Sequence, residues 1–403
     1  MLPPEKTQKL VEHASALGFE LCGVTPAADF AESRRFPEWL ARGYAGEMKY
    51  LHDPRRASPE HVLAGVRSVI VCALNFNAPL PYSTTVAKNS GTKDDLHAQL
   101  PRGWISRYAW GDDYHDVLGS KLDELLAWMR GKFGSKFRAK AYVDTGPVLE
   151  RVAAKYAGLG WLGKNTCLIN QRAGSWLFLG VILTDLELAP SLTEDEGLPR
   201  DMCGTCRRCI DACPTGAIVE PYVLDARRCI AYLTIELRGP IPEEFRPAMG
   251  NMVFGCDICQ DVCPWNRKAP ATPLAEFLPR QIPMPDGHPG AQETDIKEEP
   301  ETAHDSESLF KPPLEWLVSL DEEAFRKMFH GSPVKRAKWR GLVRNACVAL
   351  GNSRLEPGSP EHFRVTEKLR SLAESEDGII AGHARWALAR LGSAAALPAS
   401  PAD

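Results

Sequence analysis

The sequence CGTCRRCIDACP, residues 203–214, contains the most informative pattern in this 403-residue chain. Its cysteines are spaced C-x2-C-x2-C-x3-C, and a proline follows the last of them, which is the spacing of a paired iron–sulfur motif. In that motif three thiolates bind one 4Fe-4S cluster and the fourth thiolate binds a second cluster. The stretch therefore predicts a segment with two clusters, which passes electrons one at a time.

A second set of cysteines lies about forty residues further along the chain. It repeats the end of the motif, again with a proline after its last cysteine, and one more cysteine stands between the two sets. Eight thiolates form two groups of four when the last cysteine of each set binds the cluster of the other set. This predicts Cys203, Cys206, Cys209 and Cys263 around one cluster, and Cys213, Cys229, Cys256 and Cys259 around the other.

Structural zinc is the alternative for these cysteines, since zinc also accepts four thiolates. Two interleaved groups that each end in a cysteine and a proline favour clusters over zinc. Their concentration between positions 203 and 263 argues against a disulfide framework, and hence for a reducing compartment. The other four cysteines lie in apolar surroundings and are predicted to be small core residues: Cys22, Cys72, Cys167 and Cys347.

Composition limits the function classes further. The formal net charge is −4, which excludes a uniformly basic nucleic-acid-binding protein, so a polyanion must bind a local basic patch. The sequence shows no signal peptide and no run of 18 apolar residues. We therefore expect a cytoplasmic protein without a membrane anchor.

Periodicity and composition divide the chain into five predicted segments. Apolar runs at 69–74 and 176–183 predict strands between helical patterns, whereas 281–308 contains eight acidic residues and one lysine. Residues 77–103 are rich in Pro, Ser, Thr and Lys and predict a long surface loop. The segments are an α/β domain at 1–198, a ferredoxin-like domain at 199–275, an acidic disordered linker at 276–308, a helical domain at 309–392 and a disordered tail at 393–403.

The helical domain contains a basic segment. Residues 339–350 and 379–391 predict paired amphipathic helices of the size found in HEAT repeats. Between positions 326 and 355 there are eight Lys or Arg residues and no acidic residue. Either a solvated helix face or a phosphate-binding face explains this pattern. The candidate phosphate contacts are Lys335, Arg336, Lys338, Arg340 and Arg344.

Two motifs in the α/β domain have a chemical interpretation. The sequence GLGWLG, residues 158–163, matches a dinucleotide fingerprint, but it follows the helical pattern of 150–156 and not a strand. This context argues against a Rossmann site. Asp144 ends a predicted strand just before a Gly-Pro pair, so it either caps the next helix or faces a pocket as a proton donor.

Taken together, five strings resemble the epoxyqueuosine reductases: VDTGPVLER, GWLGKN, CGTCRRCIDACPTGAI, CIAYLTIE and FGCDICQDVCPWN. The resemblance covers residues 5–275 closely and 309–392 more loosely. It implies a nitroreductase-like N-terminal domain that binds cobalamin, two 4Fe-4S clusters that supply it with electrons, and a HEAT-like helical domain. It also implies that the substrate is the epoxyqueuosine base at the wobble position of a tRNA anticodon.

The resemblance also implies roles for individual residues. Asp144 takes the place of the family's proton donor. Lys164, Asn165 and Ser175 fall in stretches that line the corrinoid, and Arg56, Arg107 and Tyr108 are further corrinoid contacts. We expect the clusters to pass electrons to cobalt and an acid to assist the opening of the epoxide. The five basic residues named above are expected to contact the tRNA. An external one-electron reductant such as flavodoxin or ferredoxin is expected to supply the electrons, and we expect the protein to be a monomer.

Two other functions compete with this interpretation. A corrinoid reductive dehalogenase would share the cobalamin domain and the clusters, but such proteins are usually exported and lack a basic helical tail. A ferredoxin-type electron carrier would need neither the first 198 residues nor Asp144.

Overall fold

The structure is a computed structural model that describes residues 1–89, 100–193, 195–283 and 307–394. No helix in these ranges is both long enough and apolar enough to cross a membrane. The chain forms two compact units, and each unit consists of several separate segments. The first unit contains Met1–Thr84, Asp113–Cys229 and Asp257–Glu276, and the second contains Thr85–Asp112, Ile230–Cys256 and Phe277–Asp403. The units therefore do not follow the contiguous boundaries predicted from sequence.

The strands, numbered along the chain, are β1 (Leu21–Pro26), β2 (Ser68–Asn75), β3 (Trp104–Ile105), β4 (Ala139–Tyr142), β5 (Trp161–Leu162), β6 (Leu168–Ile169), β7 (Leu177–Thr184), β8 (Ile218–Glu220), β9 (Val223–Leu224) and β10 (Met252–Phe254). The first unit contains a four-stranded antiparallel sheet in the order β1-β2-β7-β4. The predicted strands at 69–74 and 176–183 are thus confirmed, with a shift of one residue at some ends.

The helices of the first unit are α1 (Pro3–Ala16), α2 (Phe36–Ala41), α4 (Tyr114–Phe133), α5 (Glu150–Tyr156), α6 (Arg208–Asp211) and α8 (Ile258–Asp261). The second unit contains α7 (Ile230–Ile235), α9 (Leu314–Ser319), α10 (Glu322–Met328), α11 (Lys338–Gly351), α12 (Pro360–Ala373) and α13 (Gly378–Ala394), and α3 (Ser83–Asn89) spans the boundary between the units.

The sheet of the first unit is covered on both faces. Every residue of β2 is buried, as expected for a central strand with an uninterrupted apolar sequence. On one face, Val69, Val71 and Ala73 of β2 belong to the same core cluster as Ala153 of α5. Gly180 of β7 lies where a Cβ would contact leucines of α4, so the close approach of that helix requires glycine. This packing sets the positions of the elements that begin or end near the candidate functional residues, namely α4, α5 and β4.

The second unit is built around α11. Residues 341–351 of this helix are all buried, and α11 packs against α13, α9 and β10. Strand β10 pairs in parallel with β3. The Asn345 side chain donates hydrogen bonds to the carbonyls of Thr234 and Val253, both at 2.8 Å, and so satisfies buried backbone groups. The predicted helices at 339–350 and 379–391 are confirmed.

Arg344 has a structural position that contradicts its predicted role at the tRNA backbone. Its side chain is 1% exposed. The guanidinium donates hydrogen bonds to the carbonyls of Leu233, Leu237 and Gly239 at 2.6 to 2.9 Å. Helical periodicity alone did not show that this cation points into the unit, so the prediction for Arg344 is wrong.

We expect the substitution Arg344→Met to destabilise the protein by about 3 kcal/mol or more, because three buried carbonyls would lose their donor. Chemical unfolding of the two proteins measures this difference. Arg370→Met is the control, because Arg370 is an exposed residue of α12, and its effect should stay within about 0.5 kcal/mol. Equal unfolding midpoints for Arg344→Met and wild type would contradict the assigned role.

The predicted surface loop at 77–103 is wrong for its first part. Asn77 and Ser83 are buried, and α3 begins within the segment. The Asn77 side chain donates hydrogen bonds to the carbonyls of Ala269 and Pro270. Residues 90–99 of this loop, residues 284–306 of the predicted linker and residues 395–403 of the predicted tail lie outside the described residues.

Candidate active site

Four cysteines of the first unit line one cavity: Cys203, Cys206, Cys209 and Cys263, together with Lys164, Met202 and Arg208. They are the four that the spacing assigns to one cluster, although Cys263 comes from the second set. Burial, together with the charges of the neighbouring cysteines, raises the pKa of the Cys263 thiol to about 11. Among the described residues, no three His, Cys, Asp or Glu side chains lie close enough together to bind a single metal ion. The four thiols therefore line a cavity and do not form a site for one ion.

Cys203 and the loop that follows it lie beside Lys164. Burial raises the pKa of the Cys203 thiol, while the Lys164 backbone N–H acts in the opposite direction. The Lys164 ammonium donates to the carbonyls of Gly204 at 2.6 Å and Cys206 at 3.0 Å, which fixes the loop that carries the cysteines. Donors that point at a sulfur stabilise a thiolate ligand. The cavity therefore fits a group that thiolates bind.

The second predicted group is divided between the two units. Cys213, Cys229 and Cys259 belong to the first unit, and Cys256 is the last residue of a segment of the second unit. All four are partly exposed. The sulfur of Cys213 accepts a hydrogen bond from the Ala217 N–H at 3.2 Å, so it too has a donor that favours the thiolate.

Cys167 differs from its prediction as a core residue. It is only partly buried, and a hydrogen bond with Cys259 lowers its pKa to about 7. This contact places it beside a predicted cluster ligand, and no spacing motif in the sequence includes it. Cys72 and Cys347 are buried as predicted, while Cys22 is half-buried.

Three predicted corrinoid residues direct their side chains at the cysteine segments of the first unit. Lys164 bonds the loop described above. The Asn165 amide lies 3.4 Å from the Cys259 carbonyl, and Asn165 is buried. The Ser175 hydroxyl is buried and accepts hydrogen bonds from the side chains of Gln260 and Asn266 at 2.9 Å. The side chains of all three residues thus form hydrogen bonds with other protein groups.

Asp144 lies on an exposed loop after β4. Its backbone has a φ of 56°, which lies in the left-handed region. This conformation costs most residues other than glycine about 1 kcal/mol, and Asn and Asp adopt it more readily than the others. The Tyr114 hydroxyl donates a hydrogen bond of 2.8 Å to Asp144 Oδ2. The alternative role as a helix cap is wrong, because α5 begins six residues later and its N-cap residue is Leu149. The Asp144 side chain is exposed, so a substrate can reach its carboxyl group, while the backbone is strained and the Tyr114 hydroxyl bonds the carboxylate.

Two residues near Asp144 were not predicted as functional. Tyr114 is the first residue of α4, and its ring stacks on Phe178 with centroids 4.4 Å apart. Glu150 is the first residue of α5, and its Oε1 is buried without a hydrogen-bond partner. Glu150 occurs in the VDTGPVLER string, whereas nothing in the sequence indicates Tyr114, because α4 begins thirty residues before Asp144.

The remaining predicted corrinoid residues lie in different units. Arg56 of the first unit donates a hydrogen bond to the Val148 carbonyl at 3.2 Å, and its charge acts on Glu150. In the second unit, Arg107 is 1% exposed and its guanidinium lies 4.6 Å from the centre of the Trp110 ring. Tyr108, also in the second unit, packs against Phe254.

Four of the five predicted tRNA contacts are exposed on the second unit: Lys335, Arg336, Lys338 and Arg340. Arg336 pairs with Glu236 at 2.8 Å, and Arg340 pairs with Asp377 at 2.5 Å. More than half of each arginine side chain stays exposed, so these ion pairs are weak and a phosphate can compete with them.

Comparison with known proteins identifies two segments of the chain. Residues 56–145 match the family described as epoxyqueuosine reductase QueG, DUF1730, and residues 202–266 match the 4Fe-4S double cluster binding domain. A solved structure described as epoxyqueuosine reductase with an epoxyqueuosine-modified tRNA-Tyr stem loop superposes with a TM-score of 0.76 at 29% identity, over 96% of this chain and 90% of that one. The epoxyqueuosine reductase of Streptococcus thermophilus gives a TM-score of 0.73 at 27% identity, over 97% and 91%.

Curated relatives extend the similarity over nearly the whole chain. The epoxyqueuosine reductase of Gloeobacter violaceus is 42% identical over 86% of this chain and 96% of its own length. That of Pseudomonas aeruginosa is 36% identical over 97% and 96%, and that of Escherichia coli is 37% identical over 95% and 89%. Similarity of this extent, together with the iron–sulfur match, shows that the chain belongs to the epoxyqueuosine reductase family.

Proposed function

We propose that this epoxyqueuosine reductase converts epoxyqueuosine to queuosine at the wobble position of tRNA anticodons, with Asp144 as the proton donor. The observation that carries the assignment of Asp144 is its carboxyl group at the exposed end of β4, held by Tyr114 in a left-handed backbone conformation. A carboxyl group that is accessible to substrate and oriented by a hydrogen bond is suited to general acid catalysis, and a strained backbone is a common feature of active sites.

The reaction itself requires both electrons and protons. Conversion of an epoxide to an alkene consumes two electrons and two protons, and the epoxide oxygen leaves as water. A C–O bond breaks more easily when an acid protonates the departing oxygen, because no alkoxide then forms. In the proposal the Asp144 carboxyl donates that proton, while Tyr114 holds Oδ2 and so restricts the orientation of the carboxyl group.

We assign the two 4Fe-4S clusters to the cysteines by the crossed pairing. Cys203, Cys206, Cys209 and Cys263 hold one cluster, and Cys213, Cys229, Cys256 and Cys259 hold the other. When bound, such clusters pass single electrons. The cavity lined by the first four cysteines and the donors at Cys203 and Cys213 support this assignment. Electrons would come from an external one-electron carrier such as flavodoxin or ferredoxin.

Cobalamin is proposed from family resemblance, and several residues predicted to contact it do not fit that role. Lys164, Asn165 and Ser175 bond protein groups, and the Arg107 guanidinium is buried. Arg56 is the predicted contact whose charge acts on Glu150, and it donates a hydrogen bond to the Val148 carbonyl. We therefore derive no step of the reaction through a corrinoid. A spectral titration with cobalamin tests binding by wild type and by Arg56→Ala.

The tRNA backbone is proposed to bind the exposed basic residues of the second unit, namely Lys335, Arg336, Lys338 and Arg340. Each phosphate contact releases counterions from the RNA, so affinity falls steeply with salt. The double substitution Lys335→Ala and Lys338→Ala should weaken stem-loop binding and lower the slope of log K against log salt by about 1.5. Fluorescence anisotropy at several salt concentrations measures both quantities.

Lys132→Ala with Lys136→Ala is the matched control, because it removes the same charge from two exposed residues of the first unit, one in the last turn of α4 and one just after it. The control should bind the stem-loop as wild type does. Equal affinities and salt slopes for wild type and the Lys335/Lys338 variant would refute the proposed tRNA surface.

Turnover of a defined substrate tests the function as a whole. The protein is reconstituted anaerobically with iron, sulfide and cobalamin, then incubated with reductant and an anticodon stem-loop that contains epoxyqueuosine. Mass spectrometry of the nucleoside should show the loss of one oxygen, and a parallel reaction without cobalamin measures whether the conversion depends on it. An unchanged nucleoside with fully loaded protein would overturn the proposed function.

A further inference from the structure

Two cysteines to which the proposed function assigns no role lie side by side in the sheet of the first unit. Cys22 of β1 is directly opposite Cys72 of β2 in the antiparallel register. Residues in directly opposed positions project their side chains from the same face of a sheet. The Cys72 thiol donates a hydrogen bond to the Cys22 sulfur across 3.7 Å, and no disulfide joins the two residues. The two thiols are therefore in contact but are not bonded to each other.

The backbone positions of this pair suit a disulfide. Directly opposed residues of antiparallel strands have Cα atoms about 4.5 to 5.5 Å apart. Disulfides in proteins join Cα atoms that are about 4.4 to 6.8 Å apart. Because the first range lies within the second, rotation of the two side chains brings the sulfurs together while the strands keep their register. A covalent bond between Cys22 and Cys72 is thus compatible with the fold.

The two thiols differ in their access to solvent. Cys22 is half-buried in β1, which is an edge strand of the sheet, whereas Cys72 lies in the central strand β2 and is 1% exposed. The contact with Cys22 and burial both raise the pKa of the Cys72 thiol. Reaction with an oxidant requires both a thiolate and access. A small oxidant therefore reacts first at Cys22, and Cys72 is the neighbour that reacts second.

We propose that Cys22 and Cys72 form a site of oxidative modification, at which hydrogen peroxide converts the two thiols to a cross-strand disulfide. In the first step the Cys22 sulfur attacks the peroxide, so that an S–O bond forms, the O–O bond breaks and one water leaves with the Cys22 proton. In the second step the Cys72 sulfur attacks the sulfenic acid at Cys22. The S–S bond then forms, the S–O bond breaks and a second water leaves with the Cys72 proton. The thiols lose two electrons and hydrogen peroxide gains them, and neither step depends on the proposed reaction at tRNA.

Peptide mapping identifies the bond. The anaerobically reconstituted full-length protein is treated with hydrogen peroxide, its remaining thiols are blocked with N-ethylmaleimide in urea, and it is digested with trypsin without reductant. Trypsin cuts after Arg34 and Arg67, so Cys22 falls on peptide 10–34 and Cys72 on peptide 68–88, each with no other cysteine. We expect a linked peptide pair that weighs two hydrogen atoms less than the sum of the two peptides. Dithiothreitol should separate the pair.

The melting temperature gives a second readout. The bond would connect β1 to β2 and restrict the unfolded chain between positions 22 and 72, which stabilises the fold. We expect the change in melting temperature on peroxide treatment to be about 5 °C more positive for wild type than for Cys72→Ser. Damage to the proposed clusters is common to both proteins, so the difference between the two changes reports the crosslink. Equal changes together with a linked peptide pair would refute the stabilisation.

Variants and the wild-type map separate the possible outcomes. Cys22→Ser and Cys72→Ser should lack the linked pair, whereas the control Cys347→Ala should keep it, because Cys347 is buried in α11 of the second unit. The wild-type map decides the proposal even if a variant fails to fold. The proposed site is overturned if both cysteines are recovered blocked by N-ethylmaleimide after peroxide treatment. It is also overturned if Cys22 is recovered as a sulfinic acid, or if it is joined to a cysteine of the proposed clusters.

Discussion

Asp144→Asn should reduce turnover by roughly 100- to 10,000-fold, the contribution expected of a general acid. Asparagine has the same shape but no acidic proton. It also tolerates a positive φ better than most residues, so the loop should keep its conformation, whereas alanine at φ 56° would add strain. Iron content, stem-loop affinity and melting temperature should remain those of wild type. The measurement is single-turnover formation of the deoxygenated nucleoside.

Tyr114→Phe is the companion variant for this experiment. It removes the hydroxyl that holds Asp144 Oδ2 but keeps the ring that stacks on Phe178. The acid itself remains, so we expect a smaller loss of roughly tenfold from poorer orientation of the carboxyl group. Wild-type turnover by Asp144→Asn would show that the proton comes from another group. A larger loss for Tyr114→Phe than for Asp144→Asn would make the tyrosine the donor.

Cys263→Ser should remove the same cluster as Cys203→Ser, although 59 positions separate the two residues in the sequence. This follows from the cavity that both residues line. Iron content should fall from about eight to about four per chain, and turnover should be lost because electron supply to the substrate is interrupted. Electron paramagnetic resonance of the reduced proteins should show the same remaining cluster signal in Cys263→Ser and in Cys203→Ser.

The other cysteines provide the comparison for this test. Cys213→Ser and Cys259→Ser should lose the other cluster and give a different remaining signal. Cys347→Ala is the matched control, because Cys347 is buried in α11 and outside both proposed groups, so it should keep full iron content. If the signal of Cys263→Ser matches that of Cys259→Ser and differs from that of Cys203→Ser, the crossed pairing is refuted.

The features that could be predicted from the sequence are those encoded by neighbouring residues. The cysteine spacing around 203–214 predicted the iron–sulfur domain, which the comparison confirmed for residues 202–266. An uninterrupted apolar run predicted β2, and 3.6-residue periodicity predicted α11 and α13. These features are readable because each depends on neighbouring residues within one strand, turn or helix. The sequence also indicated the family through several short strings that lie far apart in the chain.

Features that depend on packing between distant segments became visible only in the folded chain. Arg344 belongs to the same basic segment as the exposed Lys338 and Arg340, but its side chain is buried against carbonyl groups more than one hundred residues away. Asp144 and Tyr114 meet because β4 and α4 pack together in the first unit, and no local pattern in the sequence records that contact. The environment of a side chain sets its charge and its partners, and that environment consists of residues that the folded chain brings together. For this reason the sequence indicated Asp144 as a candidate proton donor, but it did not indicate that the Tyr114 hydroxyl bonds the Asp144 carboxylate.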